Sequence, residues 1–138
     1  KTVDPRDETS TPVYQLETAM GSGIELFQDA QAVRVPRNRL SPVKTTDDLL
    51  LVRSDAYIIT DDYRVTLHPS LSKPPFVQLD EQYYKLVDDF EARFKDGIPS
   101  LINCTSLVVE GDHEFRKDAV IEGDVKLENN TDERLVVE

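Results

Sequence analysis

The chain contains no tryptophan, one cysteine, one methionine and only five glycines in 138 residues. A lone thiol, Cys104, cannot close an internal disulfide, so nothing in the composition calls for an oxidising compartment. The two histidines, His68 and His113, have no Cys or His partner at metal-ligand spacing, which argues against a structural zinc and against a Cys/His nucleophile pair. Long apolar runs are also missing. The longest aliphatic stretch is Leu49-Leu50-Leu51-Val52, far short of a transmembrane span. No charged-then-apolar signal segment follows Lys1. Positive charge is scarce: 16 Lys and Arg stand against 27 Asp and Glu, a net charge of −11. Such a chain repels a phosphate backbone and an anionic membrane surface, so neither nucleic acid nor membrane is expected as a partner. Beginning at Lys1 rather than Met, the sequence reads as part of a longer cytoplasmic chain.

What is there is unevenly placed. Residues 1–79 hold 11 acidic and 9 basic residues, and residues 80–138 hold 16 and 7. No carboxylate occurs between Asp29 and Asp47, yet Arg34, Arg37, Arg39 and Lys44 all lie there. A basic island in an acidic chain is a candidate anion site, although four ordinary surface charges on a solvated loop look the same in sequence.

Patterning predicts mixed α and β structure. Thr11 and Pro12 suit the start of an amphipathic helix with an apolar stripe of Val13, Leu16, Met20, Ile24 and Phe27. Gly21 and Gly23 weaken it by about 1 kcal/mol each, and small residues there suggest a close-packed neighbour. Residues 32–35 read as a short strand stopped by Pro36. Thr45 or Thr46 can cap a second helix, with Asp47 and Asp48 complementing its dipole. Residues 57–60 and 64–67 form a hairpin pattern. Asp80 opens a third helix expected to run to about Lys95, ended by Gly97 and Pro99.

The last forty residues change character. Val109, Phe115, Ile121 and Leu127 recur every six positions. Leu107, His113, Ala119 and Val125 precede them by two, and Gly111, Lys117, Gly123 and Asn129 follow by two, at turn positions where positive φ suits Gly and Asn. Val109-Glu110-Gly111-Asp112 repeats twelve residues later as Ile121-Glu122-Gly123-Asp124. This hexad period is the signature of a left-handed parallel β-helix, and an antiparallel meander is the alternative. Some forty residues make about two coils, which need a cap or a partner at each end. The helix after Asp80 could cap one end. A second copy could cover the other, near Leu135-Val136-Val137, so a homo-oligomer is a natural use of the tail.

Among single residues, His113 falls in the inward phase of the repeat, where a general-base role is conceivable but a structural one is the simpler reading. Lys44 is the best chemical candidate. It lies between the stiff Pro42-Val43 approach and a capped helix start, so its ammonium is a positioned point charge suited to phosphate. Because Asp47 and Asp48 occupy the helix dipole, a phosphate would meet Lys44 and the arginines rather than the helix N-terminus.

Three blocks carry a resemblance: Gln15-Leu16-Glu17-Thr18-Ala19-Met20-Gly21, Val35-Pro36-Arg37-Asn38-Arg39, and Pro42-Val43-Lys44-Thr45-Thr46-Asp47-Asp48-Leu49-Leu50-Leu51. In order and spacing they resemble the eukaryotic-type UTP–glucose-1-phosphate uridylyltransferase (UDP-glucose pyrophosphorylase) family. Lys1-Thr2 is similar to the end of that family's Asn-Pro-Lys-Thr loop, and the hexad tail to its C-terminal β-helix. The resemblance implies an α/β remnant of a Rossmann-like (GT-A type) nucleotidyltransferase core at 1–79, a connecting helix at 80–97, and a short left-handed parallel β-helix at 98–138. It implies an enzyme joining UTP and glucose 1-phosphate with Mg²⁺ and without a covalent enzyme intermediate. Lys44 matches the family lysine that reaches the nucleotide phosphates. Lys1, Arg37 and Arg39 match further substrate-side positions. The glycine-rich loop and the uridine- and sugar-reading segments of the family have no counterpart here, so the chain alone is expected to be inactive. Two other readings remain at this point: a β-helix oligomerisation module without catalysis, and a relative acting on N-acetylglucosamine 1-phosphate.

Overall fold

The computed structural model describes residues 1–138 except residue 8, residue 15, residues 17–19 and residues 37–39. It divides into two compact units, Lys1–Val35 and Pro36–Glu138.

In the first unit the chain closes a small loop. Thr2 and Pro12 form an antiparallel bridge, and the N–H of Val13 donates to the carbonyl of Lys1 at 2.8 Å. Pro12 therefore belongs to the bridge and does not start a helix. The only helical segment described here is a 3₁₀ helix, Met20–Leu26. Gly21 and Gly23 sit at its beginning, where they disfavour a longer α-helix. Among the described residues no neighbour lies within 4 Å of a Cβ placed on either glycine, so the close-packed neighbour expected from them is not found there. Of the expected stripe, Val13, Leu16, Ile24 and Phe27 face solvent, Leu16 at 95% and Phe27 at 71% exposed, and the side chain of Met20 lies outside what is described. The strand expected at 32–35 is likewise not formed. Residues 32–35 pair with nothing among the described residues, and an unpaired extended segment has no ladder to hold it.

The second unit carries the core. Helix α1 (Thr46–Arg53) leads into an antiparallel hairpin of β1 (Tyr57–Ile59) and β2 (Val65–Leu67), as the sequence pattern predicts. Strand β3 (Phe76–Leu79) follows, with Val77 and Leu79 buried in the period-2 pattern of a half-buried strand. Asp80 then caps α2 (Glu81–Tyr84), its Oδ1 accepting from the N–H of Gln82. The single helix expected from 80 to 95 is broken. After Lys85, Leu86 is extended (φ −92°, ψ 145°), and α3 (Val87–Arg93) begins anew. The break has a packing reason. In one straight helix Tyr84 and Phe90 would point about 120° apart, yet both are fully buried. Resetting the phase at Leu86 lets both rings face inward. Gly97 (φ 130°) turns the chain onward.

The tail consists of β4 (Cys104–Glu110), β5 (His113–Phe115), β6 (Gly123–Glu128) and β7 (Leu135–Val137). Its pairing is parallel, which removes the antiparallel meander. β3, β4 and β6 form one sheet in that order, β5 and β7 a second, and Ser100 bridges Val120 in parallel on a third side. Leu107 faces Val125 and Val109 faces Leu127, a return after 18 residues, three of the six-residue steps read from the sequence. The register shifts between Cys104 and Ser106. Leu107, Val109, His113, Phe115, Ala119 and Ile121 are all buried, while Val125 and Leu127, the last of each phase, are half-buried. β5 meets β7 only after 22 residues.

The four-residue excess follows Asn129, whose side chain organises it. Nδ2 donates to the carbonyls of Asp112 (2.7 Å) and Glu133 (2.8 Å), and Oδ1 accepts from the N–H and hydroxyl of Thr131. Of the four turn positions, Gly111 (φ 84°) and Gly123 (φ 66°) take positive φ, whereas Lys117 and Asn129 do not. At Asn129 side-chain bonds do the turning instead. A Cβ on Gly111 would lie 2.1 Å from the Asn129 carbonyl oxygen, so the close approach of these two segments also demands glycine there.

The helices cover one side of these strands. Phe94 stacks on Phe115 at 4.9 Å and lies 4.5 Å from Phe90, while the Tyr84 hydroxyl donates to the carbonyl of His113 at 2.7 Å. Burial pushes the Tyr84 phenol up, so it remains a donor. Arg93, nearly buried, donates from Nε to Asp112 at 2.8 Å and from a guanidinium nitrogen to the Asp89 carbonyl at 2.9 Å. Asp112 also receives Arg134 at 3.1 Å. Burial raises the Asp112 carboxyl, but bonds from the two guanidinium groups outweigh it and hold it below the usual range. No helix among the described residues is long and apolar enough to cross a membrane.

Candidate functional site

The segment leading to α1 contains the strongest chemical candidate. Thr45 is the N-cap, in extended geometry (φ −126°, ψ 169°), and Asp48 occupies the third helical position. The two form a reciprocal capping box. The Asp48 carboxylate does more than close the box. Its Oδ2 accepts the N–H of Lys44 at 2.9 Å and that of Thr45 at 3.1 Å. The bond from the Lys44 N–H, helped by Thr45 and opposed by partial burial, holds the Asp48 carboxyl below its ordinary value. The neighbouring Asp47 points elsewhere. Its Oδ1 accepts the N–H of Leu79 at 3.0 Å, tying the first turn of α1 to β3. Burial pushes the Asp47 carboxyl up. Beneath them Leu50 is fully buried, and the N–H of Ser54 closes the helix on the Leu50 carbonyl at 3.0 Å.

Lys44 itself is exposed. Beside it Leu40, Ser41, Pro42, Asp48, Leu51, Val52 and Tyr57 line a pocket of about 140 Å³, too small to enclose a nucleotide. Asp48 already takes the amides of residues 44 and 45, so these two are not open to an incoming anion, while the Lys44 side chain is exposed.

The other expected site residues fare differently. Lys1 belongs to the first unit, where its carbonyl closes the Thr2–Pro12 loop. Arg37 and Arg39 lie outside the described residues. His113 is buried, its Nδ1 3.3 Å from the carbonyl of Gly111, which leaves it no reach to a substrate and gives it the structural role. Cys104 is also buried, and burial raises its thiol away from the reactive thiolate. Among the described residues no three His, Cys, Asp or Glu groups converge to hold a metal ion.

Two features escaped sequence reasoning. The bond from the Lys44 N–H to Asp48 was implicit in the Thr-x-x-Asp spacing, which announces a capping box but not its extension one residue upstream. The Asp47–Leu79 tie spans 32 residues and left no local signal.

Comparison with known proteins gives a consistent picture. The family model described as UTP–glucose-1-phosphate uridylyltransferase matches residues 1–122. A UTP–glucose-1-phosphate uridylyltransferase of Hordeum vulgare is 43% identical over 126 residues, covering 90% of this chain and 26% of the relative. One of Solanum tuberosum is 43% identical over 124 residues. Among solved structures, a UDP-glucose phosphorylase from Trypanosoma brucei superimposes with a TM-score of 0.83 at 50% identity, covering all of this chain and 30% of that one. The UDP-glucose pyrophosphorylase of Leishmania major gives 0.79 at 44% identity, covering 100% and 29%. The chain thus spans about a quarter of the length of the curated relatives it matches.

Proposed function

Because the chain belongs to the UTP–glucose-1-phosphate uridylyltransferase family, we propose that it is the C-terminal part of an enzyme that transfers a uridylyl group from UTP to glucose 1-phosphate. The observation that carries this reading is the agreement with UDP-glucose pyrophosphorylases along the whole chain, in sequence and in fold. A variant of the Leishmania major enzyme in that set is complexed with UDP-glucose.

In this reaction a phosphate oxygen of glucose 1-phosphate attacks the α-phosphorus of UTP in line. The bond to the bridging oxygen breaks, and pyrophosphate leaves. The protein has little covalent work to do. It aligns the two phosphates and offsets the charge that spreads over non-bridging oxygens. Lys44 takes the role of a fixed cation against the nucleotide phosphates. The family resemblance also assigns Lys1, Arg37 and Arg39 to the substrate side. A divalent ion, Mg²⁺, would neutralise phosphate charge in such a reaction. The described residues of this chain do not fit as its ligand set, since Asp47 and Asp48 are engaged by backbone amides, and no step here runs through it.

The 18-residue return between β4 and β6, with three short paired segments per turn, supports a left-handed β-helix for the tail. β6 and β7 are the last strands of their sheets, and Leu135 and Val136 beside them are 44% and 47% exposed. We place self-association at this end. Sedimentation over a concentration series should show a reversible dimer or larger species, and a monomer throughout would remove the assembly role.

Catalysis by the family needs more chain than is present here. Incubated with UTP, glucose 1-phosphate and Mg²⁺, the 138-residue polypeptide should release no pyrophosphate. Sustained release would show that these residues contain a complete active site.

A further inference from the structure

The hydrogen bonds at the start of α1 single out a residue that touches no substrate. Asp48 Oδ2 accepts two consecutive backbone N–H groups, those of Lys44 and Thr45, while the rest of the residue sits inside the helix. Its neighbour Asp47 binds the Leu79 N–H, so the helix turn that carries Asp48 is itself anchored to β3. A chain of bonds therefore runs from the parallel sheet through the first turn of α1 to the peptide unit of Lys44. We propose that Asp48 is a positioning residue for catalysis: it fixes the backbone at Lys44 so that the ammonium is held where the nucleotide phosphates arrive. The inference rests on the reading of Lys44 as the phosphate contact.

The physical need is plain. A lysine has a long, rotatable stem, and a charge that must be gathered from many rotamers at each turnover stabilises the transition state less than one already in place. Fixing the N–H removes freedom at the root of the side chain, where small angular changes move the tip furthest. Pro42 stiffens the approach from the other side. The carboxylate would otherwise compete for the Lys44 ammonium. Here Oδ2 is directed at two backbone amides, so that oxygen is engaged by the backbone rather than by the cation.

A helix cap alone would give Asp48 the same contacts, so the test must separate a cap from a positioner. The full-length enzyme carrying this chain is assayed for pyrophosphate release. Asp48→Ala should lower kcat about 10- to 100-fold, the scale for displacing a positioned group, with KM for UTP moving far less. Thr45→Ala removes the other half of the capping box but leaves an acceptor for the Lys44 N–H. It should lower kcat by less than about threefold while costing a similar shift in thermal melting. Asp48→Asn keeps an oxygen in the same place and should recover most of the rate. In a Lys44→Ala background, Asp48→Ala should add nothing, because there is no ammonium left to position. If Asp48→Ala does not fold, Asp48→Ser, whose hydroxyl is too short to reach back to residue 44, takes its place.

Equal kcat losses in Thr45→Ala and Asp48→Ala would reduce Asp48 to a cap and overturn the proposal. So would losses from Asp48→Ala and Lys44→Ala that multiply, or an Asp48→Ala enzyme with unchanged kcat. If Lys44→Ala itself leaves kcat unchanged, the phosphate reading of Lys44 falls and this inference falls with it, a result distinct from the three before it.

Discussion

Replacing Lys44 with alanine in the full-length enzyme should lower kcat by roughly 10²–10³-fold, the range observed when one charge-stabilising contact to a transition state is removed. The argument starts from the protein's charge. Residues 80–138 are strongly acidic, whereas the stretch between Asp29 and Asp47 holds no carboxylate and carries Arg34, Arg37, Arg39 and Lys44. Within it, Lys44 is the cation whose backbone is fixed by a described hydrogen bond. Its side chain is exposed, and Asp48 engages the backbone amides of residues 44 and 45. A triphosphate approaching this turn would meet the ammonium, with those two amides already taken. Lys44→Arg would keep the charge but change its reach and geometry, so it should recover only part of the rate. Steady-state pyrophosphate release at saturating UTP and glucose 1-phosphate reads both variants. An unchanged kcat for Lys44→Ala would return this lysine to the ordinary surface.

Phe115→Ala should destabilise the second unit by about 3–5 kcal/mol. Phe115 is fully buried on β5, and its ring stacks on Phe94 with 13° between planes. Phe94 in turn lies against Phe90 and, at 6.1 Å, Tyr84. These four rings are the seam between the helices and the parallel strands, and removing the one contributed by the strands leaves a cavity that rigid strands cannot close. Leucine at the same position should recover part of the loss, because it refills most of the volume without the ring stacking. Urea unfolding of the 138-residue chain, followed at the tyrosine signal, measures the shift. A loss under about 1 kcal/mol would mean that the seam rearranges around the vacancy.

The parallel pairing of the tail and the 18-residue return from β4 to β6 were legible because the apolar pattern repeats. Leu107, His113 and Ala119 are buried on the hexad rule, while Val125 is half-buried. The caps at Thr45 and Asp80 were legible for a local reason, since each side chain binds amides within a few residues. The hairpin of Tyr57–Ile59 and Val65–Leu67 was legible from alternation and turn residues. The failures have a different physics. The apolar stripe from Val13 to Phe27 has helical spacing, but spacing says only which side is apolar, and in this unit those side chains face solvent. The break at Leu86 arises because Tyr84 must reach the His113 backbone 29 residues away, a demand no local pattern expresses. The ion cluster of Arg93, Asp112 and Arg134 was invisible for the same reason.

For the site, sequence led to Lys44 and to the helix that presents it, and the resemblance led to its chemistry. The role proposed for Asp48 required coordinates, because a Thr-x-x-Asp spacing does not reveal that the oxygen closing the box also takes the amide of residue 44. Arg37 and Arg39 rest on the resemblance alone.

The most direct test is the pyrophosphate assay on the full polypeptide that contains these 138 residues, run with UTP and either glucose 1-phosphate or N-acetylglucosamine 1-phosphate. The account predicts release that requires both UTP and glucose 1-phosphate, is much slower with the acetylated sugar, and is lost when this segment is deleted. No release with glucose 1-phosphate, a preference for the acetylated sugar, or undiminished release without the segment would contradict it.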